Sequence, residues 1–93
     1  MEFKEYSKAV MAWVDGVMQN RGVDAEKTLK YCADIEQYAK QTGEPKLLGF
    51  AYYYAGETYY ELNEGEQLLK TITRAITYLD QAEQWDMVAR AYN

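Results

Sequence analysis

The side chains that could carry chemistry are few in type, and most of them are aromatic. The 93-residue chain holds ten tyrosines, two tryptophans, two phenylalanines, one cysteine and no histidine. Without histidine the chain lacks the commonest general base and the commonest metal ligand. Its one cysteine, Cys32, cannot form an internal disulfide or supply a zinc site. We therefore predict a chain that is not an enzyme, with no catalytic residue, no metal and no cofactor.

One set of carboxylates has regular spacing. Glu57, Glu61 and Glu64 follow each other at steps of four and three, which places them along one edge of a helix. Carboxylate pairs can perform acid-base catalysis, but no glycine-rich phosphate loop, nucleophile motif or metal-binding motif accompanies them. The edge therefore either attracts a basic partner or is a solvated face that maintains solubility.

Charge and hydropathy argue against two classes of partner, nucleic acid and the membrane interior. Ten lysines and arginines against fifteen aspartates and glutamates give a net charge of -5, which repels a phosphate backbone. No apolar run approaches the roughly 20 residues that cross a bilayer, and the charged start lacks the apolar stretch of a secretory signal. We expect no nucleic-acid partner, no membrane insertion and a cytoplasmic location.

The hydrophobic pattern is helical along the whole chain. A composition of 48% hydrophobic and 27% charged residues is typical of a folded chain, and 93 residues suffice for one domain. Apolar residues recur at steps of three and four, and no stretch alternates with period two between turn residues. The chain is therefore predicted to be all-α.

Cap and turn residues delimit the first two helices. An apolar stripe from Phe3 to Val17 marks the first helix, which ends near Gly22 because glycine adopts the left-handed conformation that closes a helix. Asp24 is predicted to cap the second helix, and Gly43 to end it.

Three more helices follow. Pro45 is predicted to begin the third, since proline is tolerated in a first helical turn. Asn63 with Glu66 three residues later predicts a capping box, which starts the fourth helix at about 64–83. A short fifth helix begins at Trp85.

The two long helical pairs repeat at an offset of about 40 residues. At this offset the coinciding residues include Gly16 with Gly56, Glu26 with Glu66, Leu29 with Leu69, Lys30 with Lys70 and Tyr38 with Tyr78. Because the predicted helix starts coincide as well, we interpret the two pairs as repeated helical hairpins.

The run from Tyr52 to Tyr59 resembles the first-helix signature of tetratricopeptide repeats, in which a small residue lies between two aromatics. Gly56 would let the helices of the hairpin approach closely, with Leu68, Ile72 and Ala75 where that family packs its second helix against the glycine. The first hairpin keeps the glycine as Gly16 but lacks the aromatics, like an atypical end repeat. The family's usual repeat of about 34 residues is shorter than this one.

This resemblance implies a single domain over 1–93 of antiparallel helical hairpins, stacked as a right-handed superhelix of about five helices. Hairpin 1 would cover about 2–42, hairpin 2 about 45–83, and 85–93 would begin a third repeat. We therefore expect the chain to be a fragment of a longer protein.

Two strings, Lys46–Tyr52 and Trp85–Asn93, also resemble the tetratricopeptide regions that precede GGDEF (diguanylate cyclase) domains in bacterial signalling proteins. This resemblance implies a regulatory module whose catalytic domain lies downstream of Asn93.

In tetratricopeptide proteins the first helices of the repeats line a concave groove. The resemblance therefore implies a binding face, whose members here are Trp13, Phe50, Tyr53, Glu57, Tyr60, Glu61 and Arg90. The implied partner is a protein or peptide with apolar and basic residues. The open end at Trp85–Tyr92 implies a homo-oligomer.

Three alternatives remain open from the sequence. The tyrosines could serve only to pack the core. The helices could form a closed four-helix bundle whose function is dimerisation. A pocket between the hairpins, lined by tyrosines, could sense a small ligand.

Overall fold

The computed structural model describes residues 6–93, and this part of the chain contains five helices. They are α1 (Lys8–Asn20), α2 (Ala25–Thr42), α3 (Pro45–Glu61), α4 (Gly65–Gln81) and α5 (Trp85–Tyr92). No strand occurs among the described residues, so the predicted all-α class is confirmed. Phe3 and the predicted start of hairpin 1 at residue 2 lie outside the described residues.

Local sequence determines the end of α1, both ends of α2 and the start of α3 as predicted. The Asp24 side chain accepts a hydrogen bond of 3.0 Å from the Lys27 amide and caps α2. Gly22 and Gly43, with φ of 73° and 68°, adopt the left-handed conformation just beyond α1 and at the end of α2. Pro45 is the first residue of α3, where its missing N–H costs no helical hydrogen bond.

The predicted capping box at Asn63 is wrong. Asn63 has φ of 61°, and the residue that precedes α4 is Glu64, whose side chain makes no capping hydrogen bond. The Glu64 amide instead donates to the Tyr59 carbonyl at 2.9 Å, which closes the end of α3. Asparagine is among the residues that adopt the left-handed conformation most readily, so Asn63 ends α3 and does not start α4. Glu64 therefore lies off α3, and the helical edge keeps Glu57 and Glu61 alone.

The same turn recurs every 20 residues. Left-handed residues stand at Gly43, Asn63 and Glu83, and the next residue donates its amide to the carbonyl five positions back in all three turns. The helices α2, α3, α4 and α5 start at residues 25, 45, 65 and 85. An offset of 40 residues therefore superposes the start of α2 on that of α4, and the start of α3 on that of α5.

Replacing Glu83 with glycine is expected to stabilise the fold. Glu83 has φ of 57°, which is unfavourable for a residue with a Cβ atom. Glycine removes this conformational cost, although it also has greater freedom in the unfolded chain. The first effect is the larger, so the free energy of unfolding should rise by about 0.5 to 1 kcal/mol. Thermal unfolding followed by circular dichroism measures the gain as a rise in melting temperature. Glu83→Ala is the control, because it removes the same carboxylate but keeps the Cβ. A melting temperature for Glu83→Gly no higher than that of Glu83→Ala would contradict the expectation.

Each helix packs mainly against its neighbours in the chain, so that α1 contacts α2, α2 contacts α3, α3 contacts α4 and α4 contacts α5. A closed four-helix bundle would also pack α1 against α4, and these two described helices form no extensive interface. The packing is that of consecutive helical hairpins.

Gly16 and Gly56 each lie in a close contact at the seam of their hairpin, but the contact partners are not equivalent, because the 40-residue offset places Tyr31 on Thr71 and not on Ile72. A Cβ on Gly16 would lie 2.6 Å from the Tyr31 ring in α2, and a Cβ on Gly56 would lie 2.5 Å from Ile72 Cδ1 in α4. In α3 and α4, Gly49 faces Leu79 while Gly56 faces Ile72, so the two helices run antiparallel. In each hairpin, the two helices thus approach most closely where the first helix has a glycine and no side chain intervenes.

The core follows this arrangement and is centred on α3, which lies between α2 and α4. Nine of the 17 residues of α3 are buried, because the helix is covered on several sides. Tyr52 stacks on Tyr78 of α4, with ring centroids 5.8 Å apart and an interplanar angle of 23°. Much of the aromatic surface of α3 is therefore used for packing.

Candidate binding groove

A groove of about 660 Å³ lies between the C-terminal half of α3, the N-terminal half of α4 and the end of α5. We call it the α3–α5 groove. It lies beside the later turns of α3, which α5 does not cover among the described residues. The side chains that shape it are Tyr53, Glu57, Tyr60, Leu68, Leu69, Ile72, Arg90 and Tyr92.

Large apolar side chains from three helices are exposed along this groove. Tyr60 of α3 is 72% exposed, Leu69 of α4 is 71% exposed and Tyr92 of α5 is 72% exposed. Isolated exposed apolar residues are normal on a soluble protein, but their convergence on one concave surface is typical of an interaction site.

The structure brings four of the predicted site residues together and separates the other three. Tyr53, Glu57, Tyr60 and Arg90 line the α3–α5 groove. Glu61 lies one turn beyond Glu57, in an adjoining depression next to the end of α1.

Phe50 and Trp13 lie outside the groove. Phe50 is only 3% exposed, with its ring 4.9 Å from that of Tyr54, so it belongs to the core. Trp13 is half-buried, and its ring lies edge-to-face with that of Tyr38 in α2, with ring centroids 6.2 Å apart. Both rings therefore pack against neighbouring aromatics.

Sequence reasoning missed the leucines of the groove. The apolar stripe of α4 predicts that Leu68 and Leu69 both face inward, yet Leu68 is half-buried and Leu69 is exposed. Adjacent residues point about 100° apart around a helix. One neighbouring helix therefore cannot cover both leucines. Two adjacent leucines in the sequence are the feature that indicates a second apolar surface on α4.

Glu57 is paired within the chain. Its carboxylate accepts two hydrogen bonds from the Arg21 guanidinium, from Nε to Oε1 and from Nη2 to Oε2, both at 2.8 Å. This pairing raises the pKa of Arg21 above its ordinary value, and the guanidinium also lies 4.9 Å from the centre of the Tyr54 ring. Glu57 therefore brings little free negative charge to the groove, unlike the free carboxylate that the sequence pattern indicates.

Two other charged side chains lie in the groove or next to it. The Arg90 guanidinium contacts the Met87 sulfur, with Nη1 3.7 Å from Sδ, and makes no ion pair within the described residues. In the adjoining depression beside α1, the exposed carboxylate of Glu61 also makes no ion pair among the described residues.

The chain matches no family model, no curated protein and no solved structure. The geometry and chemistry of the groove therefore carry the functional assignment.

A second cavity, of about 170 Å³, lies between α2, α3 and α4 and is lined by Cys32, Glu36, Tyr52, Tyr59 and Arg74, among others. It is smaller than the about 300 to 1,000 Å³ of most small-molecule sites. Burial raises the pKa of Cys32 to about 12, so its thiol stays protonated near neutral pH and is a poor nucleophile. The cavity gives little support to the small-ligand alternative.

Neither a metal-binding cluster nor a membrane-spanning helix occurs in residues 6–93. No group of three or more cysteine, aspartate and glutamate side chains there could hold a metal ion. Within the same residues, no helix combines the length and the apolar character needed to cross a membrane.

Proposed function

We propose that this chain is a non-catalytic, tetratricopeptide-like interaction module that binds a protein segment in the α3–α5 groove. The convergence of Tyr60, Leu69 and Tyr92 carries the proposal, since each is more than two-thirds exposed and each comes from a different helix. Aromatic and leucine side chains in a concave site give a large contact area at little cost in side-chain entropy. A groove between helices fits an amphipathic helix or an extended peptide.

The tetratricopeptide-like part of the proposal has its own support. The helices pack in chain order, Gly16 and Gly56 each lie at the seam of a hairpin, and helix starts recur at an offset of 40 residues. These are features of stacked helical hairpins, in which each repeat contacts mainly its neighbours.

The signalling role rests on the resemblance of Lys46–Tyr52 and Trp85–Asn93 to regions that precede GGDEF domains. In such a protein the groove would regulate a cytoplasmic diguanylate cyclase by binding or releasing a partner. A basic partner draws support from Glu61 alone, because Arg21 already neutralises Glu57.

Peptide selection tests the groove directly. Peptides of 16 residues, selected from a random display library on the immobilised domain, are expected to bind at the α3–α5 groove. The double variant Tyr60→Ala, Leu69→Ala should weaken their binding by about tenfold or more, because it removes two exposed anchors. Its melting temperature should stay close to that of the parent, since both side chains are mostly exposed.

Val23→Ala is the matched control, because Val23 is 83% exposed and lies in the turn between α1 and α2. It should leave peptide binding unchanged. Failure to select any peptide, or equal weakening by Val23→Ala, would refute the groove as the binding site.

A further inference from the structure

We infer that the segment bound in the α3–α5 groove carries an aspartate or glutamate side chain among its apolar residues, and that this carboxylate pairs with Arg90. The inference rests on the proposed function, because it states the chemistry of the partner for the same surface. An acidic partner takes the place of the basic one that the sequence pattern favours.

Arg90 is the charged side chain of the groove that lacks an ionic partner among the described residues. Two charged side chains line the groove, Glu57 and Arg90. Glu57 accepts two hydrogen bonds of 2.8 Å from Arg21, so its charge is balanced within the chain. Arg90 is exposed and forms no ion pair with any described residue. The uncompensated side-chain charge of the groove is therefore positive.

The guanidinium of Arg90 has donors to offer a carboxylate. Its Nη1 contacts the Met87 sulfur at 3.7 Å, and a thioether is a weak acceptor that carries no negative charge. A guanidinium presents its N–H donors in a planar fork, which matches the two oxygens of a carboxylate. An acidic side chain is therefore the partner that this group binds best.

Filling the groove makes such a pair necessary. Arg90 lines the same surface as the exposed Tyr60, Leu69 and Tyr92, so a segment that covers these side chains also removes water from the guanidinium. Removing water from an unpaired charge is costly, and a carboxylate on the bound segment offsets that cost. A neutral or basic segment provides no such compensation and is disfavoured.

The surroundings of Tyr54 indicate that Arg90 and Arg21 act on the same part of α3. Burial raises the pKa of the Tyr54 hydroxyl, and the positive charges of Arg21 and Arg90 both act against this rise. Glu57 is the carboxylate side chain of the groove lining, and both arginines stand against it. Glu61 lines the adjoining depression and not the groove itself. The local charge is therefore positive in a chain that is acidic as a whole.

The net charge of the chain does not decide the contact. A net charge of -5 slows the approach of an acidic segment. At physiological ionic strength, however, exposed charges further apart than about 8 Å are largely screened from each other. The side chain that the bound segment touches therefore determines the preference, and in the groove that side chain is Arg90.

Peptide selection with a charge-changed variant tests the inference. The same random library is selected in parallel on the parent domain and on Arg90→Glu, at about 0.15 M salt so that distant charges are screened. Peptides selected on the parent are expected to contain aspartate or glutamate beside aromatic or aliphatic residues. Those selected on Arg90→Glu should contain lysine or arginine instead. Arg90→Glu should also weaken the binding of the parent-selected peptides by about tenfold.

A charge swap distinguishes a direct ion pair from a structural effect of the substitution. Synthetic peptides with blocked termini are titrated, so that only side-chain carboxylates contribute. Changing the acidic residue of a parent-selected peptide to lysine should weaken its binding to the parent by about tenfold. The same lysine peptide should recover most of that affinity on Arg90→Glu, because the two changes restore opposite charges at one contact.

Arg74→Glu is the matched control, because it makes the same charge change at an exposed arginine of α4 that lines the smaller cavity and not the groove. It should leave peptide binding unchanged. Selected peptides that are neutral or basic overturn the inference, as does equal weakening by Arg74→Glu or a lysine peptide that recovers no affinity.

The double variant Tyr60→Ala, Leu69→Ala separates this inference from the proposed function. If neutral or basic peptides are selected and lose affinity for the double variant, the groove remains the binding site and only the acidic partner fails. A library that yields no binder on the parent removes both.

Discussion

Leu79→Ala is expected to lower the free energy of unfolding by about 3 kcal/mol, within the range for buried leucines that leave a cavity. Leu79 is 0% exposed and packs on Gly49 at the seam between α3 and α4. Because α3 is the central helix of the core, the surrounding side chains cannot collapse fully into the space. A loss of this size is a large part of the stability of a small domain.

Urea unfolding followed by circular dichroism measures this loss as a lower transition midpoint with an unchanged slope. Leu69→Ala is the matched control, since it makes the same substitution in the same helix at a position that is 71% exposed. It should cost about 0.5 kcal/mol or less. Equal losses for the two variants would mean that α4 does not pack through the face described.

Gly49→Ala is expected to destabilise the chain by about 2 kcal/mol, although alanine favours a helix more than glycine does. A Cβ at this position would lie 2.7 Å from Leu79 Cγ and 3.0 Å from the Leu79 backbone nitrogen. The two helices would have to separate, because the backbone of α4 cannot rotate away as a side chain can. The loss from overpacking therefore exceeds the gain in helix propensity. Thermal unfolding provides the measurement.

Gly65→Ala provides the contrast, because a Cβ at Gly65 at the start of α4 would have no neighbour within 4 Å. It should be neutral or slightly stabilising. Adding Gly49→Ala to Leu79→Ala should cost less than adding it to the parent, since the truncated side chain leaves room for the new methyl group. Additive losses, or a stable Gly49→Ala variant, would contradict the close contact between α3 and α4.

The sequence predicts the ends of a helix correctly where those ends depend on interactions between residues close in the chain. Asp24, Gly43 and Pro45 act within a turn of their own position, and each one does what its residue type predicts. The prediction for Asn63 is wrong because asparagine suits both a helix start and a left-handed turn. The hydrogen bond from Glu64 to Tyr59 that ends α3 decides between the two.

Only part of the candidate site could be predicted from the sequence. Tyr53, Glu57 and Tyr60 share a face because they lie at steps of four and three on α3, which helical periodicity reveals. The pairing of Glu57 with Arg21 joins residues 36 positions apart, and no local pattern predicts it. The burial of Phe50 and the exposure of Leu69 depend likewise on which neighbouring helix covers each side.

The amino-acid sequence by itself determined that this chain is all-α, where most turns fall and that Gly16 and Gly56 lie at hairpin seams. These properties follow from backbone preference and from apolar spacing, which act over a few residues. Only the tertiary structure decided that α5 leaves part of α3 and α4 uncovered, that Arg21 neutralises Glu57, and that Arg90 and Glu61 are left without ion pairs among the described residues. These outcomes depend on how distant segments meet, and many arrangements of amphipathic helices share the same periodicity.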